Sequence, residues 1–271
     1  MTEKLRKGLF DLTIILLLPI FASVIASIYS VNYLWSIILF LGLPSLFLSI
    51  RLPKCALKAL SFSIVASIPT ILVVDYIGQI MGQWIIPSSV SSFRFFGVVP
   101  IEQGLWAVLN FYSVIMFYEY FLNHHVVKKT FAAKFKYLYV IGFAIIAPFI
   151  TVLLVNPSWL RVPYFYFIFG ILLIGIPAFF EVSTHAKLTP KFLKTAAYFF
   201  YLSFIYEITA LKHDWWQFPG WQFVGWISLL NVRFPLEELL FWIILFAMAI
   251  LGVYEKFDDD QEERYLSSGT A

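Results

Sequence analysis

Charge is scarce in this sequence. Only 13% of its 271 residues are charged, against 61% hydrophobic. A soluble domain of this length needs more polar surface, so the balance points to a polytopic membrane protein. Cysteine is limited to Cys55, which excludes an internal disulfide and suits a small packing residue. The four histidines, His124, His125, His185 and His213, lie in or beside loops and form no H-x-x-x-H pair, which argues against a metal site. The net charge of +3 is not gathered into a basic patch, so nucleic acid is not an expected partner. No G-x-G-x-x-G opens a helix after a strand, so a Rossmann-bound flavin or nicotinamide is not indicated. No D-x-x-x-D pair stands in a loop to hold magnesium and diphosphate. These absences agree with a protein that works without a cofactor.

Aromatic residues, by contrast, are abundant: 30 Phe, 15 Tyr and 9 Trp, or 20% of the chain. Interfacial belts account for some of them. The rest either pack helices or line a cavity for a large apolar ligand. Hydropathy predicts an all-α polytopic bundle of about eight transmembrane helices: Leu9–Ser30, Tyr33–Ile50, Leu57–Ile80, Pro100–Asn123, Tyr137–Val155, Pro163–Val182, Phe192–Leu211 and Pro235–Tyr254. The first apolar stretch is long for a signal peptide and reads as a spanning helix. Trp-bearing loops, 82–99 and 212–234, precede the fourth and eighth spans, and an acidic tail from Asp258 reads as solvated and disordered.

Lys and Arg alternate between the connections. One side holds Lys4, Arg6 and Lys7, then Arg51, Lys54 and Lys58, then Lys128, Lys129, Lys134 and Lys136, then Lys187, Lys191 and Lys194. The other side holds Arg94, Arg161, Lys212 and Arg233. The positive-inside rule therefore predicts both termini in the cytoplasm of a protein integral to the cell membrane.

An internal repeat is also legible. Gly42-Leu43-Pro44 matches Gly175-Ile176-Pro177. Asp75 with Trp84 nine residues on matches Glu207 with Trp216. Pro100-Ile101-Glu102-Gln103 matches Pro235-Leu236-Glu237-Glu238. The offsets are 133, 132 and 135 residues, so the matches stay in register. They divide the chain into a first unit, 1–123, a cytoplasmic connector, 124–134, a second unit, 135–255, and the tail, 256–271. Four spans per unit give two parallel repeats about an axis along the membrane normal.

Carboxyl groups inside apolar spans are costly and mark functional sites. Pro100 and Pro235 are expected at the first helical position, which places Glu102 and Glu237 in first turns. Glu238 beside Glu237 adds like-charge repulsion, so the pair is expected to keep a proton, as a general acid in a water-poor site must. By the charge-based orientation, Asp75 and Glu207 end their spans on the face where Glu102 and Glu237 begin theirs. The plainer account has these acids capping helices and pairing with Arg94 and Arg233. Glu119 and Glu255 are expected at solvated or interfacial positions. Trp84, Trp106, Trp216, Phe241 and Trp242 flank the acids, where their faces either stabilise a cation or form a membrane-interface belt.

The duplicated P-x-E-[EQ] segments, each after an acidic helix and a Trp-bearing loop, resemble the lycopene cyclase domain family of membrane-integral carotenoid cyclases. The resemblance implies cyclisation of a linear carotenoid such as lycopene by alkene protonation, ring closure on the cation and deprotonation, with no net redox change. It implies Glu237 as prime acid, Glu238 and Glu102 as its partners, and Asp75 and Glu207 as orienting or proton-accepting groups. Trp84, Trp106, Trp216, Phe241 and Trp242 are the implied substrate contacts. Gln103, in place of a second Glu, departs from the pattern and makes the two halves unequal. The expected partners are the carotenoid and the lipid bilayer. A homo-oligomer or association with other carotenoid enzymes is compatible. A proton-coupled transporter and a non-catalytic subunit of a heteromeric cyclase remain alternatives.

Overall fold

A computed structural model describes residues 3–123, 133–184 and 187–258. The chain is 76% helical. We number the long helices α1 (Glu3–Tyr29), α2 (Tyr33–Arg51), α3 (Pro53–Ile80), α4 (Ile101–Asn123), α5 (Phe135–Val155), α6 (Phe165–Thr184), α7 (Thr189–Lys212) and α8 (Glu238–Phe257). All but α7 are both long and apolar enough to cross a membrane. The 24-residue α7 is long enough, and Tyr198, Tyr201, Tyr206 and Glu207 make it less apolar. The bounds lie within a few residues of those expected from hydropathy. His124, His125, His185, most of the connector and the tail beyond Asp258 lie outside the described residues.

Local chemistry sets the breaks between helices. Ser30 takes a left-handed φ of 46° after α1, and the Asn32 side chain then accepts from Trp35 N to cap α2. Pro53 opens α3, where its missing N–H is harmless. Among the described residues five stretches widen into π-helix: Ile38–Gly42, Thr70–Asp75, Glu119–Asn123, Gly170–Gly175 and Glu238–Leu245. Pro44 and Pro177 each follow such a stretch by two residues. A proline ring clashes with the carbonyl four residues back, and the widened turn relieves that contact.

Helices α4 and α8 form the centre. Two-thirds (67%) of the apolar window of each is buried, against 11% for α5. Large side chains such as Phe143, Leu154 and Phe179 are exposed on the outer helices, as the outside of a bundle in lipid requires.

The two loops at one end of the bundle are more ordered than hydropathy suggests. Strands β1 (Arg94–Phe95) and β2 (Val99–Pro100) form one hairpin, and β3 (Trp226–Leu229) and β4 (Val232–Pro235) another. In the second, Leu230 and Asn231 have φ of 51° and 64°, the pairing of positive angles that suits a two-residue turn between twisted strands. Pro100 and Pro235 therefore end strands rather than occupying first helical positions; α4 starts at Ile101, and helical residues Leu236 and Glu237 lead into α8.

The opposite end holds polar contacts that local sequence does not reveal. Asp11 is fully buried between Arg51 (2.7 Å) and the Tyr120 hydroxyl. Lys58 and Asp258, both fully buried, meet at 2.5 Å. Lys58 is thus part of the core rather than a loop charge, and Asp258 is not part of a solvated tail. Glu119 is buried too, accepting from Tyr254 Oη (2.9 Å) and Asn123 Nδ2 (3.0 Å), and Glu255 is fully enclosed. Neither acid is solvated, because neighbouring helices cover the ends on which they sit. Cys55 is buried, as a packing residue should be.

Candidate functional site

Two helices carry an acid near their ends and then return a tryptophan to it. After α3, Gly82 takes φ +64° while Gln83 N reaches Gly78 O and Gly82 N reaches Gln79 O. This is a Schellman turn, which closes the last carbonyls and reverses the chain. Trp84 Nε1 then donates to Asp75 Oδ1 at 3.1 Å. After α7, Asp214 takes φ +54°, Trp215 N reaches Ala210 O, and Trp216 Nε1 donates to both Glu207 oxygens at 3.2 Å. Asp tolerates the left-handed conformation better than most residues.

Helices α4 and α8 bring the partner of each acid. In the first group Gln103 Nε2 donates to Asp75 Oδ1 (2.9 Å), and Tyr33 Oη donates to Gln103 Oε1 (2.5 Å). In the second, Glu238 lies within hydrogen-bonding reach of Glu207, and Tyr166 Oη donates to Glu238 Oε2. The two groups interlock through rings. Tyr33 meets Trp216 edge-on at 6.1 Å, and Trp84 meets Tyr166 edge-on at 5.0 Å.

Between the groups lies a cavity of about 60 Å³. Tyr33, Asp75, Trp84, Gln103 and Trp106 line it from the first half of the chain, and Tyr166, Trp216, Glu238 and Trp242 from the second. Trp106 and Trp242 stack at 4.8 Å across its wall. Small-molecule sites usually enclose roughly 300–1,000 Å³, so this space admits a reactive group and not a whole ligand.

Glu102 and Glu237 face elsewhere. Glu102 accepts from Val90 N (2.8 Å), Ser91 N (2.6 Å) and Ser89 Oγ (3.1 Å). Glu237 accepts from Val224 N (2.6 Å). Each ties down the loop before its own helix, and neither lines the cavity. Nor do they pair with arginines as the plainer account expects. Arg94 donates to Val98 O, and Arg233 lies 4.4 Å over the Trp226 ring. Phe241 packs against Phe167 and Gly170 instead of lining the cavity. Among the described residues no three His, Cys, Asp or Glu side chains are grouped as metal ligands, and His213 stacks on Trp215.

No protein-family model, curated protein or solved structure matches this chain. The site must therefore be judged on its own chemistry. Sequence reasoning overlooked Tyr33 and Tyr166, although they stand 133 residues apart, at the offset already seen in the other matched pairs. It also treated Gln103 only as a missing acid, whereas its amide is the donor that satisfies Asp75.

Two carboxyl groups in contact can bond only through a shared proton. The Glu207–Glu238 pair can thus hold a buried proton, with Glu238 at the wall of an aromatic cavity. Indole and phenol faces on that wall favour a nearby cation, by about 2 kcal/mol when desolvated. The arrangement can deliver a proton to an apolar π-bond and shelter the cation that results.

Proposed function

We propose that this chain is a membrane-integral carotenoid cyclase of the lycopene type, built as two parallel four-helix repeats. The observation that carries the proposal is the Glu207–Glu238 carboxyl pair beside the Trp- and Tyr-lined cavity. Glu238 gives its proton to the terminal double bond, the neighbouring double bond closes the ring on the cation, and loss of a proton restores an alkene. Atoms and electrons balance without a redox cofactor. The donor is Glu238 rather than Glu237, because Glu237 is turned to Val224 N and Glu238 lines the cavity. Glu207 shares the proton and Tyr166 orients the donor.

The two-repeat arrangement draws support from the matched Tyr–Gln–Asp–Trp and Tyr–Glu–Glu–Trp groups and from the hairpin that precedes each central helix. Loop charges support cytoplasmic termini, which would put the site in the far half of the membrane. The cavity holds the reacting end of the substrate, and the rest of a long polyene lies outside it.

Expression in a lycopene-accumulating host, followed by pigment analysis, tests the proposal. Cyclic carotenoid is expected from the wild type. Glu238→Gln should lower turnover by about 100-fold or more, the usual weight of a general acid, while Glu237→Gln stays within roughly tenfold of wild type. Unchanged lycopene beside stably inserted wild-type protein would refute the assignment.

A further inference from the structure

The two acid groups are matched in layout but opposite in hydrogen-bond polarity. In the second group an acid faces an acid, and a shared proton can bridge the two. In the first group the acid faces donors only. Gln103 Nε2 and Trp84 Nε1 both donate to Asp75 Oδ1. Trp84 Nε1 can only donate, so Asp75 Oδ1 is an acceptor, and with Gln103 Nε2 on that same atom the amide Oε1 is left to the Tyr33 hydroxyl. A carboxylate, an acceptor on both oxygens, satisfies that environment.

Asp75 Oδ2 is the other half of the observation. It is buried and without a hydrogen-bond partner, on a side chain 4% exposed that lines the cavity with Glu238. Native structures rarely leave a buried carboxylate oxygen idle, and each case asks for a role. Here the free oxygen belongs to a residue in the wall of the space where the cation would form.

We infer that Asp75 is the base that removes the proton from the ring cation, so that a proton crosses the cavity from Glu238 to Asp75 in each turnover. This rests on the cyclase assignment and adds a direction to it. The Glu238 O–H bond breaks as a C–H bond forms at the end group. The next double bond supplies the electrons of the new ring C–C bond. Asp75 Oδ2 then takes a proton from a carbon beside the cation, and the released C–H electrons make the ring double bond. The carbon that faces Asp75 Oδ2 decides which ring isomer forms. The enzyme resets when solvent reprotonates the Glu207–Glu238 pair and takes the proton from Asp75.

The test uses the full-length protein in liposomes containing lycopene in deuterated water. Asp75→Asn keeps an oxygen that can accept from Gln103 and Trp84 but cannot hold the proton. Gln103→Glu keeps Asp75 and turns the first group into a second proton-sharing pair, and it serves if Asp75→Asn inserts poorly. In both variants the normal ring product is expected to fall about 100-fold, with the cation diverted. Diversion appears as a hydrated ring heavier by one water, a displaced ring double bond, or deuterium returned to the linear polyene. Glu238→Gln should show none of these. The normal ring as sole product, at any rate, overturns the inference, and so does loss of the ring with no diverted product or deuterium. A wild type that forms no ring would instead remove the cyclase assignment itself.

Discussion

Replacing Gly78 by Ala probes how Trp84 reaches Asp75. An ideal Cβ at residue 78 would stand 2.2 Å from Trp84 Cζ2 and 2.3 Å from Cη2. Carbon atoms approach comfortably only to about 3.5–4.0 Å, so the indole must retreat by more than an ångström. Trp84 Nε1 is already 3.1 Å from Asp75 Oδ1, near the outer limit of a sound bond, and that retreat breaks it. Overpacking costs about 1–3 kcal/mol, and a buried bond to a charged group about 1.5–3 kcal/mol. Because one movement causes both losses, the total should be roughly 3–5 kcal/mol, or a melting point lower by about 10 °C for a chain of this size. Thermal unfolding followed by tryptophan fluorescence in detergent at one scan rate measures it. The sharper measurement is a double-mutant cycle with Trp84→Phe, which removes the clashing ring. The double variant should recover about 1–3 kcal/mol relative to the sum of the singles. A Gly78→Ala protein that melts with the wild type, or a cycle additive within about 0.5 kcal/mol, would refute the close packing described for this turn.

Two further predictions concern the ends of the bundle. Lys58→Met alone should destabilise by about 3–5 kcal/mol by removing the ammonium that meets buried Asp258, while Lys58→Met with Asp258→Leu should recover part of that loss; chemical denaturation of the three proteins in detergent checks the order. Glu102→Gln removes a charged acceptor from the Val90 and Ser91 amides, so hydrogen exchange at those two amides should quicken by roughly tenfold or more, in line with about 1.5–3 kcal/mol per charge-assisted bond.

The helices were legible because a twenty-residue apolar run has few other uses, and the charged connections marked where the runs stop. Helix α7 shows that spacing can outweigh hydropathy, since its tyrosines dilute the apolar signal while Glu207 keeps its match with Asp75. The facing of Glu237 and Glu238 was not legible. Both flanks of α8 are apolar, so no amphipathic stripe marks which of two neighbours, about 100° apart on a helix, looks inward. Lys58 and Asp258 lie 200 positions apart, and nothing local in either segment announces the other. The hairpins left only faint traces, Gly97 and Asn231, because each strand is at most four residues long.

The widened turns give the site a reserve of length. A π-bulge is an α-helix carrying one extra residue. Asp75 closes such a stretch and Glu238 opens another. Removing one residue from Thr70–Asp75 would let the turn tighten to ordinary helix while Trp84 and its loop kept nearly their present bearing, because the widened turn has already absorbed the extra residue. A residue lost from plain helix has no such slack and swings everything beyond it by about 100°. The two acids therefore sit where the chain can change length and still keep its aim.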